Sequence, residues 1–184
     1  MKTWSQLVAH PGFDLGVRDI AAASVGIAAW GLTTGMVLHN AGLSAFEAVF
    51  MTLVVFAGSA QLAATPLILA GAPLWVIWAT AACVNLRFVV FSAHMQPYFA
   101  RVSRARRVLY SFILGDISYV MFTKRFHQPA QSDDESDFHE AYWLASISTN
   151  WVAWMLGSFA GIALATWIPP TWGLGFAGIL ALVG

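Results

Sequence analysis

Residues 48–100 read AVFMTLVVFAGSAQLAATPLILAGAPLWVIWATAACVNLRFVVFSAHMQPYFA, and Arg87 is the single charged residue among them. A stretch of this length corresponds to roughly two membrane crossings. A charge in hydrocarbon costs at least about 2.5 kcal/mol, so such a residue normally faces a partner or a water-filled cavity. The stretch therefore predicts a polar site at membrane depth.

The rest of the chain has the composition of a membrane protein. Of its 184 residues, 59% are hydrophobic and 10% are charged, and the mean hydropathy is +0.68. Residues 20–46, 48–86 and 141–184 carry no charge, and each exceeds the roughly 20 residues that cross a bilayer as a helix. We predict an all-α, polytopic transmembrane helical bundle formed by one integral membrane domain over residues 1–184.

A broken or re-entrant helix is expected near residues 58–66. Gly58 can end a helix, Ser59 can cap a new one, and Pro66 cannot donate to the helical ladder. Inside a membrane the freed backbone groups must face protein or water, and discontinuous transporter helices form substrate sites in this way. The alternative is a simple kink, with Gln61 bonded to a neighbouring carbonyl.

The next span opens at Pro73 and carries two polar lanes. They consist of Asn85, Ser92 and Gln96 on one side and Arg87 and His94 on another. Such a helix is expected to lie centrally in the bundle, or to unwind near residues 85–87. A further short span is predicted over residues 108–123, with Asp116 near its middle.

Charge clusters between the spans are interpreted as topology signals. Arg101, Arg104, Arg106 and Arg107 predict a cytoplasmic loop by the positive-inside rule. The acidic run at residues 133–137 lacks calcium-loop spacing, so residues 127–140 are predicted to be a solvated connection. The apolar end over residues 173–184 is too short to span alone, which predicts a truncated C-terminus.

Several functional classes are excluded by what the sequence lacks. The formal net charge is zero and no long basic run is present, so no nucleic-acid partner is expected. The single cysteine has no partner, and the histidines lack ligand spacing, so we expect no metal site. No phosphate-binding P-loop and no catalytic cluster occur. We therefore expect no cofactor and no enzymatic activity. The energy for transport is expected to come from ion or substrate gradients.

Five short motifs follow one another along residues 20–125: Gly31-x3-Gly35, Ala41-Gly42-Leu43-Ser44-x2-Glu47-Ala48-x2-Met51, Phe56-Ala57-Gly58-Ser59-Ala60-Gln61, Gly71-Ala72-Pro73 and Asn85-Leu86-Arg87. In combination they resemble the AzlC family of branched-chain amino-acid transport proteins. The resemblance implies a multi-pass subunit of the bacterial inner membrane that exports branched-chain amino acids. It also implies a small AzlD-like membrane subunit as the partner.

The candidate site follows from the needs of a zwitterionic, aliphatic amino acid. We predict that its carboxylate binds to Arg87 and to the start of a half-helix. The candidate residues at this helix start are Gly58, Ser59 and Gln61. Asp116, together with Gln61 or Asn85, would meet the ammonium group or carry a coupling proton.

Two further residues are candidates for ion coupling, and two other readings stay open. Glu47 and His94 are the candidates, although the capping-box spacing of Ser44 and Glu47 offers a structural role for Glu47. If Arg87 and Asp116 only hold the bundle together, the chain is a non-transporting scaffold or accessory subunit. A channel is disfavoured, because its filter would require an oligomer, and the oligomeric state stays open.

Overall fold

The computed structural model describes residues 2–167, and this part of the chain contains only helices as regular elements. In chain order these are α1 (Trp4–Val8), α2 (Pro11–Asn40), α3 (Ala45–Val54), α4 (Gly58–Leu69), α5 (Leu74–Met95), a 3-10 helix (Gln96–Phe99), α6 (Arg104–Phe112), α7 (Asp116–Arg125) and α8 (Asp133–Leu164). The prediction for residues 173–184 lies outside the described residues.

Three helical segments in the described part are long and apolar enough to cross a membrane. They are Pro11–Asn40, Leu74–Phe99 and Asp133–Leu164. Their lengths of 30, 26 and 32 residues all exceed the roughly 20 residues that a bilayer requires. The prediction of an all-α, multi-helix membrane bundle is confirmed.

The chain divides into two compact units. Within the described residues, unit 1 comprises 2–24 and 88–152, and unit 2 comprises 25–87 and 153–167. The candidate residues 58–87 belong to unit 2, whereas Asp116 and His94 belong to unit 1. The single integral membrane domain stays a prediction.

In unit 2, α2 and α8 pack closely through glycines. A Cβ added at Gly31 would lie 2.7 Å from the backbone oxygen of Trp154, so no larger residue fits without a shift. Gly35, Gly157 and Gly161 meet backbone atoms of the opposite helix in the same way. Small residues allow such close backbone approach in lipid.

The helix break of unit 2 lies three residues earlier than predicted. α3 begins with the expected capping box, in which Glu47 Oε2 accepts from the Ser44 amide at 2.8 Å, and it ends at Val54. The chain is extended or irregular over residues 55–57, and α4 begins at Gly58. The predicted roles of Ser59 as a cap and Gly58 as a left-handed end are wrong, since Ala57 holds the cap position and Gly58 is helical.

Pro66 does not break this helix, because it lies inside α4. Proline has no backbone N–H, so the carbonyl oxygen of the residue four positions earlier loses its helical hydrogen-bond donor. Both half-helices remain short, with 10 residues in α3 and 12 in α4. Neither is long enough to span a bilayer alone.

The predictions for α5 are wrong in both forms. The helix runs without interruption through residues 85–87, and Met95 is its only buried residue. Trp75, Leu86 and Val89 are largely exposed, so one face of α5 is apolar and uncovered by the described chain. These exposed apolar side chains form a surface compatible with hydrocarbon rather than with a central position among the described helices.

Unit 1 differs from the prediction in two places. The expected span over residues 108–123 is two short helices, since the backbone is not helical at residues 113–115 and Asp116 is the first residue of α7. The region predicted to be a solvated connection contains the first turns of α8, which begins at Asp133. Its acidic first turn, with Asp134 and Glu135, matches the positive end of the helix dipole.

Candidate functional site

The side chain of Arg87 contacts the start of α4. Its Nη2 donates a hydrogen bond to Oγ of Ser59 at 2.6 Å, although the two residues are 28 positions apart. Ser59 is buried, and Arg87 is half-buried. The structure thus brings together two of the predicted site residues and places a cation beside a half-helix that begins within apolar sequence, while their role in binding stays a prediction.

The first turn of α4 offers backbone donors at the same place. Ala57, at the cap position, makes no side-chain cap hydrogen bond. The backbone N–H of Gln61 donates to the backbone oxygen of Ala57 at 3.0 Å, and this is the first hydrogen bond of the helix. The N–H groups before it have no intrahelical acceptor, and they lie at the positive end of the helix dipole. This combination favours an anion.

Gln61 is buried completely, yet both polar atoms of its amide side chain lack a hydrogen-bond partner among residues 2–167. Oδ1 of Asn85 is in the same situation. An unsatisfied buried polar group costs about 1–3 kcal/mol, so these atoms are candidates for contact with a bound molecule. The alternative that Gln61 bonds a neighbouring carbonyl through its side chain is wrong within the described chain.

Trp154 forms an aromatic wall at Gly58. A Cβ at Gly58 would collide with its indole ring, so only glycine fits there without a shift. Phe56 and Trp30 meet the same ring edge-on, with centroids 6.2 and 6.3 Å away. We did not single out Trp154 from the sequence. The available signal was its position, because tryptophan favours membrane interfaces whereas Trp154 lies ten residues before the end of a long apolar helix.

The coupling candidates have the following surroundings. Glu47 is exposed and holds the cap of α3, accepting from the Ser44 amide and from Ser44 Oγ at 2.7 Å. In unit 1, His94 is exposed and its Nδ1 lies 2.7 Å from the Tyr119 hydroxyl. Asp116 is half-buried at the start of α7. A role for any of the three in coupling stays a prediction.

Unit 1 contains a buried ionic cluster that the sequence analysis missed. Glu140 is 2% exposed and accepts from Arg106 Nη1 at 3.0 Å and from the Tyr110 hydroxyl at 2.8 Å. Burial raises the pKa of Tyr110, and the bond to Glu140 raises it further, so the phenol keeps its proton. Arg106 and Tyr110 are four positions apart on α6, a spacing that puts both on one helical face. That spacing was the available signal.

No group of three or more metal-ligating side chains converges within residues 2–167.

Residues 22–168 match the family model described as AzlC protein. The chain belongs to the AzlC family. A relative is the inner membrane protein YgaZ of Escherichia coli (strain K12), which is 23% identical over 129 residues. That alignment covers 69% of this chain and 50% of YgaZ, so the chain spans about half the length of this relative. No solved structure matches the chain.

The AzlC match includes the whole candidate site, because Gly58, Ser59, Gln61, Asn85 and Arg87 all lie within residues 22–168. Membership of this family, an inner membrane relative and three apolar helices of spanning length together establish a membrane protein.

Proposed function

We propose that this chain is a subunit of a secondary transporter that exports branched-chain amino acids across the bacterial inner membrane. The observation that carries the proposal is the 2.6 Å hydrogen bond from Arg87 to Ser59 at the start of α4. Transport changes no covalent bond, so the proposed protein is not an enzyme and uses no cofactor.

The carboxylate of the solute is proposed to bind at Arg87. A charge-assisted bond between a guanidinium and a carboxylate is about twice as strong as a neutral hydrogen bond. A carboxylate would therefore displace the Ser59 hydroxyl from Arg87. The backbone N–H groups of the first turn of α4, next to Ser59, supply further donors.

The aliphatic side chain of the solute is proposed to pack on the aromatic wall of unit 2. Trp154 lies directly against Gly58, one residue before Ser59. Phe56, which lies within the break, extends this apolar surface. A branched hydrocarbon group therefore finds apolar contact close to the carboxylate donors.

The ammonium group needs acceptors, and unit 2 supplies two. Oε1 of Gln61 and Oδ1 of Asn85 are buried oxygens without a hydrogen-bond partner in the described part of the chain. Asp116, in unit 1, is proposed as the carrier of a coupling proton. Export is proposed to use an ion or solute gradient.

The proposal is tested by counterflow in vesicles. The chain is reconstituted alone and with a small AzlD-like subunit, its proposed partner, and exchange of labelled leucine and valine is measured. Arg87→Ala and Asp116→Asn should lower exchange at least about tenfold, which corresponds to about 1.4 kcal/mol. Arg18→Gln, which removes an exposed arginine, is the control and should exchange normally. Folded Arg87→Ala and Asp116→Asn variants with normal exchange would contradict the proposal.

The alternative function is a non-transporting scaffold or accessory subunit. The same bond favours it, because Arg87 and Ser59 join α5 to α4 and therefore hold two helices together. A scaffold predicts no solute-dependent flux with or without the partner, while Arg87→Ala lowers the unfolding temperature. A carrier predicts flux that Arg87→Ala abolishes in a folded protein.

A further inference from the structure

Unit 1 contains a groove of about 470 Å³ that the proposed transport site does not use. The buried part of its lining consists of Met95, Phe99, Tyr110, Leu114 and Trp143, and its one hydroxyl, on Tyr110, is already bonded to Glu140. This volume falls within the range of roughly 300–1,000 Å³ that small-molecule sites occupy. The groove is therefore large enough for a substantial apolar segment of a ligand.

Two arginines line the same groove. Arg104 and Arg107 are one turn apart on α6, and Arg107 is half-buried. Neither side chain has an ion pair or a hydrogen bond to another residue of the described chain. By contrast, three other arginines of unit 1 each pair with a carboxylate: Arg101 with Asp133, Arg106 with Glu140 and Arg125 with Asp19. Charge complementarity at the groove therefore calls for an anion.

The rest of α6 indicates where this anion comes from. Val108, Leu109 and Phe112 are exposed large apolar side chains on the helix that carries Arg104 and Arg107. A short helix that exposes both basic and apolar side chains is typical of the membrane–water interface. A free anion would satisfy the arginines and leave the apolar lining uncovered, whereas a lipid satisfies both.

We propose that the groove binds one anionic phospholipid. Its phosphate contacts Arg104 and Arg107, since guanidinium groups bind phosphate oxygens through charge-assisted hydrogen bonds. Its acyl chain lies along Met95, Phe99 and Trp143. Basic pockets beside transmembrane helices recognise anionic head groups by this combination of charge and apolar contact.

Native mass spectrometry of the full chain tests the site. The protein is equilibrated with equal amounts of phosphatidylglycerol and phosphatidylcholine of identical acyl chains, and the retained lipid is counted. We expect preferential retention of phosphatidylglycerol. Arg104→Gln/Arg107→Gln should reduce this preference by about 25-fold, because each basic side chain near a membrane surface contributes about a factor of five. Equal retention of both lipids by the unmodified chain would overturn the proposal.

A matched double variant controls for net charge. Arg18→Gln/Lys124→Gln also removes two exposed cations of unit 1, but neither residue lines the groove. It should keep the preference for phosphatidylglycerol. The same loss in this control would show that long-range charge, not the groove, selects the lipid.

Two further arms separate a lipid from a soluble anion. Ser111→Phe fills the groove without changing its charge and should lower retention of phosphatidylglycerol. Normal retention in this variant would contradict the placement of the acyl chain. Glycerol 3-phosphate in millimolar excess should leave the lipid bound, and displacement by this head group alone would assign the groove to soluble phosphates.

Discussion

Nη2 of Arg87 and Oγ of Ser59 lie 2.6 Å apart, which joins the middle of α5 to the first turn of α4. A guanidinium has five N–H donors, and this bond engages one of its terminal nitrogens. Ser59 is a neutral acceptor that a carboxylate can replace with a gain in bond strength. The contact therefore fits a binding site in which the Ser59 hydroxyl occupies Arg87 until the carboxylate of a solute replaces it.

Replacing Gln61 by Leu should separate transport from stability. Both side-chain amide atoms of this buried residue lack partners among residues 2–167, so an apolar side chain should leave the unfolding free energy unchanged or raise it by about 1–2 kcal/mol. Leucine counterflow should fall at least about tenfold because the ammonium group loses an acceptor. Thermal unfolding and counterflow of the same preparation measure the two effects.

Thr52→Val is the matched control for Gln61→Leu. It removes a buried hydroxyl that bonds only within its own helix, to the Ala48 oxygen at 2.8 Å. Its counterflow should be normal. A Gln61→Leu protein that unfolds more easily and still exchanges leucine normally would assign Gln61 to the structure alone.

Gly58→Ala should destabilise unit 2 through its collision with the Trp154 ring. Overpacking of this kind costs about 1–3 kcal/mol. Trp154→Phe removes part of the ring, so the double variant should recover a share of the loss, with a coupling energy of about 0.5–3 kcal/mol. A double-mutant cycle of unfolding measurements provides the test.

Gly26→Ala controls for the general effect of replacing a helical glycine. A Cβ at Gly26 meets no atom within 4 Å, so the unfolding free energy of this variant should rise by about 0.5–1 kcal/mol. If Gly58→Ala behaves like Gly26→Ala, the contact with Trp154 does not shape the start of α4.

Glu140→Gln should unfold unit 1 much more easily than the unmodified chain. The carboxylate is buried against Arg106, and loss of one partner from a buried pair costs about 3–5 kcal/mol. Arg106→Met/Glu140→Leu should recover part of this loss, because it removes both charges but leaves the Tyr110 hydroxyl without its acceptor. Denaturant unfolding of the three proteins measures the difference.

The exposed pair of Arg101 and Asp133 is the comparison for this cluster. Arg101→Gln should cost no more than about 1 kcal/mol, because surface ion pairs contribute little. Equal effects of Arg101→Gln and Glu140→Gln would show that burial adds nothing to the interaction of Glu140.

The sequence predicted those features that local chemistry determines. The Ser44 and Glu47 capping box marked the start of α3. Arg87 and Ser59 were assigned to one carboxylate site, and the structure brings their side chains into contact, while the binding role stays a prediction.

Long-range contacts explain what the sequence missed. Gly58, the first residue of α4, packs against Trp154, which lies 96 positions later in the sequence, and no local pattern contains this contact. The exposure of α5 depends on how many other helices pack around it, and this number cannot be predicted from the positions of the polar residues along α5. The start of α8 was available locally, because Ser132 Oγ accepts from the Glu135 amide at 3.2 Å, and we misread this acidic run as loop.

Direct binding of leucine and leucinamide is the measurement closest to the central claim. Leucinamide keeps the ammonium group and the branched side chain but lacks the carboxylate that Arg87 is proposed to receive. In nanodiscs, with the partner subunit present, the chain should bind leucine at least about tenfold more tightly than leucinamide. Arg87→Gln should abolish this difference and Arg18→Gln should preserve it. Equal affinities for the two compounds in the unmodified protein would contradict the account.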